Sequence, residues 1–542
     1  MNRKLKKLIP FLLASLATLL FGGFLSNPLV FDDMYFFMAG NPEKYVIEGL
    51  QFQPRWLAYY SLGLTFVHIG PEFIWLRLGN LTLHIATGLA LFTLLFRLMS
   101  DLDKPRQGGL KLEWAVFLAV LLFLLHPVAV YAAGYLIQRT ILMATLFTIL
   151  TWLSFWWGLQ GSRKWLWLSA FFYFLAVFSK EHAVMAPVVC LGLLVLHHRS
   201  GLTPYFSKKE FFSLFAVFCL IALMVVLQAK GAIGTAYELA APQMLKSQAV
   251  SVPSELAYPM SVITQAGLFF KYLLLWLVPH IGWMSVDMRE PFALTFTWLN
   301  SIGLLLFILY PLAAGRLIWQ GGTKGLVGIS LIAPWLLFAT EISTVRLQEI
   351  FVLYRSYLWV PLLFLLVAIG FTRLSKRMAI VLGMVISMTL FAFSFDRLTT
   401  FSHKYLLWNE AALLAEQNAG KPGVIGLDRI YYNRGSALHN ERFIPKAIED
   451  YSKAIEINPG FSEAFNNRGA ALLEIGKAQA ALNDFDTAIL LNQANLNSFV
   501  GRAVTLSKLG RHEEALEAHS KACTMGWSAS CKQSKTWVDL AQ

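Results

Sequence analysis

The sequence predicts an all-α chain in which a polytopic membrane domain of about 11–13 helices precedes an α-solenoid of helical repeats. Three observations predict it. The 542 residues are 57% hydrophobic and 14% charged, whereas a soluble domain carries about 25% charged residues. Apolar stretches separated by short polar joints recur from residue 8 to about 395. Beyond residue 428 the pattern changes to a repeat in register.

The first element is the run from Leu8 to Leu25. It reads as a retained helix, because it is long for a leader and no small-x-small cleavage site follows. Arg3, Lys4, Lys6 and Lys7 place its start in the cytoplasm and send the next segment to the other side. Further candidate spans are 73–97, 114–133, 140–158, 165–179, 183–196, 211–228, 263–279, 295–318, 325–340, 357–372 and 378–395. The basic loops 97–111, 161–164, 197–209 and 373–377 should be cytoplasmic, and 28–72, 134–139, 180–182 and 229–262 then lie opposite. Twelve simple spans would return the chain to the cytoplasm, yet a cytoplasmic 373–377 followed by one span sends it out. One candidate is therefore not a simple crossing. The expected exception is 263–279, as an interfacial or re-entrant piece, leaving an odd count with the tail outside.

The tail repeats visibly. Arg434, Arg468 and Arg502 are 34 residues apart, as are Ala447, Ala481 and Ala515, and Ala454, Ala488 and Ala522. A 34-residue period with small residues at helix contacts is the tetratricopeptide signature, and three units make a minimal stable stack. The expected domains are 1–400 in the membrane, 401–427 as linker, 428–528 as three repeats, and 529–542 as a C-terminal helix or tail. Acids and bases nearly balance from Lys421 onward, at 13 against 14, so +12 of the net +13 belongs to the membrane part and its short loops. That is a topology signal and an attraction to membrane lipids, with no nucleic-acid module beside it. Cys190 and Cys219 lie in apolar runs; Cys523 and Cys531 could pair if the tail is outside the cytoplasm.

Ionisable residues that interrupt the apolar runs are the functional candidates, because burying charge in a membrane is costly. In "LVFDDMYFF", Asp32 and Asp33 follow the first helix among Phe31, Tyr35, Phe36 and Phe37, where a carboxylate's pKa rises toward that of a working base. An exposed acidic loop is the equal alternative. In 126–144, His126 and Pro127 stop one helix, and Gln138 and Arg139 start the next. A guanidinium there matches phosphate geometry, or snorkels to headgroups. Lys180, Glu181 and His182 form a polar turn between two short apolar runs. Arg355 and Tyr357 precede a span and read either as a phosphate clamp or as an interfacial belt. Arg55 in "QPRW" and Asn80 with His84 are weaker candidates, the last two explained adequately by hydrogen bonds across helices. No phosphate-binding loop, dinucleotide fingerprint, zinc spacing or nucleophilic serine elbow is present, which argues against ATP-driven and redox chemistry.

Taken in order, the acidic pair after helix 1, Asn80 and His84 in "N-x-x-x-H", "HP…QR" (His126, Pro127, Gln138, Arg139), "KE" (Lys180, Glu181), "YRSYL" at 354–358 and the repeats form a pattern. This pattern resembles the transmembrane-and-tetratricopeptide protein O-mannosyltransferases and their bacterial relatives, membrane glycosyltransferases of the GT-C type. The likeness covers nearly the whole chain and is loose over 229–345. Asp33 stands where some relatives carry Glu, and "QPRW" departs from their usual order.

The resemblance implies a polyprenyl-phosphate-linked sugar donor and inverting transfer to Ser or Thr hydroxyls of a protein. It implies that Asp32 and Asp33 act as the general base, or that Asp32 helps hold a divalent metal (magnesium or manganese) as in some branches. Arg139, Lys180 and Arg355, with Tyr357, would meet the lipid phosphate. His126, Gln138, Glu181, His182, Arg55 and His84 would support the pocket. The repeats would recruit the acceptor, a pilin or periplasmic protein if the owner is bacterial. The expected setting is a bacterial inner membrane with active site and repeats facing the periplasm. Two alternatives stay open: an oligosaccharyltransferase or other glycan-modifying enzyme using a pyrophosphate-linked donor, and a non-catalytic scaffold for pilus or polysaccharide assembly.

Overall fold

The computed structural model describes residues 3–34, 36–37, 42–49, 51–103, 109–228, 234–235 and 252–531. Tyr35, most of the 229–262 loop and 532–542 of the expected tail lie outside these. The described residues are helical throughout, with two isolated bridges in place of a sheet, and they divide into the units Met1–His403 and Lys404–Gln542.

In the first unit, α1 (Arg3–Phe21) leads to the short helices α2 (Asp32–Met34) and α3 (Lys44–Ile47), then to α4 (Trp56–His68) and α5 (Phe73–Leu102). Next come α6 (Leu112–Leu124), α7 (Pro127–Ala133), α8 (Arg139–Gln160), α9 (Arg163–Ser179), α10 (Ala186–Arg199) and α11 (Lys208–Val226). The remainder is α12 (Ser254–Leu277), α13 (Trp298–Gln320), α14 (Gly322–Leu337), α15 (Ala339–Ile342), α16 (Ser356–Trp359), α17 (Phe364–Arg373) and α18 (Lys376–Ser402). Helix α4 lies within 28–72, which periodicity left as a loop.

Backbone polar groups have no water to bond with in hydrocarbon, so helix breaks must be satisfied by protein. The break between α6 and α7, bent by 62°, shows how. Pro127 cannot donate, and the Leu125 carbonyl at the break accepts from Ser394 Oγ at 2.7 Å. Leu124 O is met by His84 Nε2 at 3.1 Å, and His126 Nε2 reaches Trp276 O at 3.1 Å. A carbonyl only accepts, so both histidines carry their proton on Nε2. Close crossings use glycine: a Cβ at Gly328 of α14 would stand 2.6 Å from Ala314 O of α13. Helix α11 starts with a full capping box, Ser207 with Glu210.

Among the described residues, nine helices are long and apolar enough to cross a membrane, and up to eleven if each bent pair is one span. Helix α12 passes that test by length, but the chain then doubles back along it. Glu290 pairs with Lys271, and the Ala293 N–H reaches Thr264 Oγ1 at 2.9 Å. The 263–279 stretch, expected as interfacial or re-entrant, thus lies in a helix of spanning length whose end sits beside the α6–α7 break. Helix α9, with 17 residues, is just short of that test. The end of α1 and the end of α18 meet on one face, where Asn27 Nδ2 donates to Leu398 O at 3.1 Å.

In the second unit, α19 (Lys404–Glu416) lies inside the stretch expected as linker and packs on the first repeat helix. Three helical hairpins follow: α20 (Leu427–Asn440) with α21 (Ile444–Ile457), α22 (Ser462–Glu474) with α23 (Ala478–Leu491), and α24 (Leu496–Lys508) with α25 (His512–Thr524). Repeated alanines are buried at the contacts: Ala447, Ala481 and Ala515 are at most 1% exposed. The repeated arginines are pinned across each hairpin, Arg434 to Asp450 and Arg468 to Asp484, both bidentate at 2.7–2.8 Å. The third hairpin has Ala518 at the corresponding place, so Arg502 reaches back to Asp486 at 2.7 Å. Cys523 and Cys531 are disulfide-bonded.

Replacing Asp484 by Ala strands the Arg468 guanidinium and should destabilise the repeats by about 1–3 kcal/mol. Asp486→Ala, which removes an exposed partner, should cost less than about 1 kcal/mol. Native-state proteolysis of the full chain measures both.

Candidate active site

Three of the four non-glycine residues with positive φ among the described residues sit on the face where α1 ends: Phe31 (φ 50°), Phe52 (φ 49°) and Arg55 (φ 66°). Left-handed backbone costs of order 1–3 kcal/mol and persists only where surroundings over-determine it. Here the restraints are visible. Phe31 directly precedes the acidic pair. Asp33 is wholly buried, and its carboxylate accepts from the Ile137 N–H at 2.9 Å and the Leu136 N–H at 3.4 Å. Burial pushes this carboxyl up to about 7, against the pull of Arg77 and those two amides. Arg77 itself clamps three carbonyls, Asn27 O (3.2 Å), Pro28 O (2.7 Å) and Gly134 O (2.5 Å). Asp33 and Arg77 therefore latch the α1–α2 connection onto the turn before α8.

Asp32 is held differently. Its backbone N–H donates to Tyr135 Oη at 2.7 Å, and its side chain is half-buried. Burial, then the Asp32 and Asp33 charges, hold the Tyr135 hydroxyl well above its ordinary pKa, so it keeps its proton. The Tyr135 ring meets Tyr354 edge-on at 6.2 Å, and Asp32 and Arg55 both act electrostatically on Tyr354. Lys180 Nζ lies 5.6 Å from the Tyr354 ring centre. Tyr354 thus joins the acidic side of the site to the basic side.

The basic side is an ion-pair chain. Arg55 Nε donates to Glu181 Oε2 at 3.0 Å, and a second nitrogen completes the fork. His182 lies between Glu181 (3.5 Å) and Glu341 (2.8 Å). Glu341 has no exposed surface and also receives Arg355 Nη1 at 2.8 Å, with Arg346 at 3.7 Å. Arg355 Nη2 continues to Glu349 at 2.5 Å. Lys180 is 4% exposed and, among the described residues, makes no ion pair or hydrogen bond through its ammonium. Burial lowers its pKa to about 7; Arg55 and Arg355 push the same way, partly offset by Glu181 and Glu349.

The structure therefore gathers Asp32, Arg55, Lys180, Glu181, His182 and Arg355, with Asp33 packed directly behind. It does not bring the others into this pocket. The expected phosphate ligand Arg139 spends its guanidinium on Asn80 Oδ1 (2.9 Å), Thr65 Oγ1 (3.0 Å), Ser61 O (3.1 Å) and Leu76 O (2.6 Å). Tyr357 is fully buried and hydrogen-bonds His84 Nδ1 at 2.7 Å, inside the helix core. His126 stacks on Trp276 with ring centres 4.3 Å apart. Gln138 is buried at the start of α8, its side-chain carbonyl without a partner among the described residues.

Sequence reading missed Tyr135, Tyr354, Glu341 and Arg77. Glu341 and Arg77 carried the same signal as the chosen candidates, a charge in or beside an apolar run; Tyr354 lay inside the quoted "YRSYL", and Tyr135 carried no signal. As for a metal, no group of three or more His, Cys, Asp or Glu side chains able to hold one occurs among the described residues. Asp32 shares Tyr354 with the cations Arg55, Lys180 and Arg355, so the residues here do not offer a divalent ion the set of oxygen ligands it takes.

Residues 428–461 and 450–483 match tetratricopeptide repeat models. No curated protein matches the chain. Among solved structures, it is similar to the Arabidopsis OM64 tetratricopeptide domain at 24% identity, over 20% of this chain and 93% of that one, TM-score 0.20. It is similar to YrrB, a tetratricopeptide protein with an unusual peptide-binding site, at 17% identity over 29% and 87%, TM-score 0.21. It is also similar to the oligosaccharyltransferase AglB from Archaeoglobus fulgidus, solved with an inhibitory peptide and a dolichol-phosphate, at 12% identity over 76% and 58%, TM-score 0.41. The chain therefore spans little more than half of AglB's length.

Two outcomes follow from the buried charges. Folded Asp33 keeps a proton that the unfolded chain releases near 3.8, so its contribution to stability is full below that pH and is lost as pH rises through about 7. Asp33→Asn should flatten this part of a melting-temperature-against-pH profile. Lys180 is charged below about 7 and neutral above. An anion of constant charge bound against Lys180, such as an organic phosphodiester probe, should bind about tenfold more weakly near pH 8 than near pH 6. Lys180→Arg should remove that dependence in a titration.

Proposed function

We infer that the chain is a membrane glycosyltransferase that moves a sugar from a polyprenyl-phosphate-linked donor to a Ser or Thr hydroxyl of an acceptor protein. The observation that carries this reading is a site around Tyr354, on which the charges of Asp32, Arg55 and Arg355 act and beside whose ring the ammonium of Lys180 stands at 5.6 Å. A hydroxyl is a poor nucleophile until a base takes its proton. A departing phosphate needs positive charge where its own charge gathers. In this reading Asp32 takes the hydroxyl proton, the acceptor oxygen bonds to the sugar's anomeric carbon, and the bond from that carbon to the phosphate oxygen breaks. The phosphate leaves with the electron pair toward Lys180, backed by Arg55 and Arg355.

The charge balance favours a monophosphate-linked donor. Arg55 is matched by Glu181, and Arg355 and Arg346 by Glu341 and Glu349. Lys180 is left to answer a single phosphodiester charge, whereas a pyrophosphate would bring more. Asp33, Arg139, His84, His126, Gln138 and Tyr357 serve in this reading as the frame that holds the pocket.

The tetratricopeptide repeats would present the acceptor, a pilin or other periplasmic protein of a bacterium. The basic start of α1, the emergence of α18 on the opposite side and the Cys523–Cys531 bond support a bacterial inner-membrane protein with pocket and repeats in the periplasm.

Asp32→Asn should lower transfer by about 10²–10⁴-fold while the protein still folds and still retains its donor. Mass spectrometry of periplasmic and surface proteins from cells carrying each form measures this. Unchanged glycosylation in the Asp32→Asn cells would refute the assignment, and no glycosylation with the native protein would favour a scaffold.

A further inference from the structure

Helices α5, α8 and α9 all begin or end at the pocket face, and their opposite ends converge on a second site. Helix α8 has 22 residues, so this site lies about 33 Å away along its axis. It is a cavity of about 690 Å³ lined by Phe92, Phe96, Arg97, Trp157, Gln160 and Trp165, with Gly161 and Ser162 at the turn between α8 and α9. The walls are aromatic: Phe92 stacks on Phe96 at 6.1 Å, and Trp157 meets Trp165 at 4.5 Å. Arg97 is exposed at its mouth and, among the described residues, has no ion pair or side-chain hydrogen bond. Its neighbours are committed: Gln160 Nε2 donates to Asp101 at 2.6 Å, and Arg163 pairs with Glu210 at 2.8 Å.

An aromatic-walled opening between membrane helices, with one uncommitted guanidinium at helix-end level, matches a ligand that is an anion at one end and hydrocarbon at the other. Tryptophans favour the interface between headgroup and chain, and basic pockets between helices take lipid phosphates. We propose that this cavity binds an anionic phospholipid, its headgroup phosphate on Arg97 and its chains along Phe92, Phe96, Trp157 and Trp165. The site is independent of the transfer pocket and of the function assigned there.

The test is native mass spectrometry of the full chain in detergent, titrated with phosphatidylglycerol or phosphatidylcholine. The native protein should retain phosphatidylglycerol in preference to phosphatidylcholine. Arg97→Gln should weaken that retention about fivefold, as expected for one interfacial cation. Arg377→Gln removes an equal charge from an exposed position outside the cavity and should leave retention unchanged. Melting temperatures establish that both variants fold. Equal retention by Arg97→Gln and the native protein would overturn the proposal, as would equal retention of phosphatidylcholine. Displacement of the lipid by millimolar inorganic phosphate would show a simple anion pocket and overturn it too.

Discussion

The fully buried carboxylate of Glu341 is the constraint around which one face of the membrane unit is built. A lone carboxylate in an apolar bundle is prohibitively costly, so it must be ionically paired and hydrogen-bonded at once. Here Arg355 and His182 do this directly at 2.8 Å each, and Arg346 adds charge at 3.7 Å. These partners come from separate parts of the chain: the turn before α10, the loop after α15 and the start of α16. Satisfying one acid therefore draws three segments together. The chain of pairs then extends through Glu181 to Arg55, which fixes the left-handed turn into α4.

A second economy governs the polar residues in the membrane unit. Most are spent on backbone groups that helix breaks leave exposed: His84, His126, Asn80, Arg77 and Arg139 all bond to main-chain carbonyls or to side chains that do. What is left over is small and local. Lys180 has its positive charge without an ion-pair partner, and Asp32 is held by its backbone so that its carboxylate stays half-buried at the pocket. That residue, rather than the number of charges, is what makes a binding site.

The repeats show the same logic in water. Bidentate Arg–Asp pairs lock the first two hairpins, and the third, lacking the aspartate, improvises with a half-exposed neighbour. The 34-residue spacing of the arginines was plain in the sequence because each repeat solves one packing problem in the same way. Asp450 and Asp484 share that spacing, but their pairing with Arg434 and Arg468 has no local signature, because it forms across a hairpin.

The sequence by itself determined the class of the protein: apolar runs too long and too poorly charged for a soluble fold, and three tetratricopeptide hairpins. Each follows from local composition or period, which secondary structure and the membrane read directly. It also marked the stretches where charge interrupts hydrocarbon, "FDD", "QR", "KEH" and "YRSYL". What it could not decide was which of those charges face a ligand. Arg139 and Lys180 look alike as cations beside apolar helices, yet one is consumed by four oxygen atoms of neighbouring helices and the other stands unpaired. Asp32 and Asp33 are adjacent, yet Asp33 is wholly buried against two backbone amides and Asp32 is half-buried. Only the tertiary structure decides this, because the fate of a buried charge depends on which distant groups reach it across the bundle.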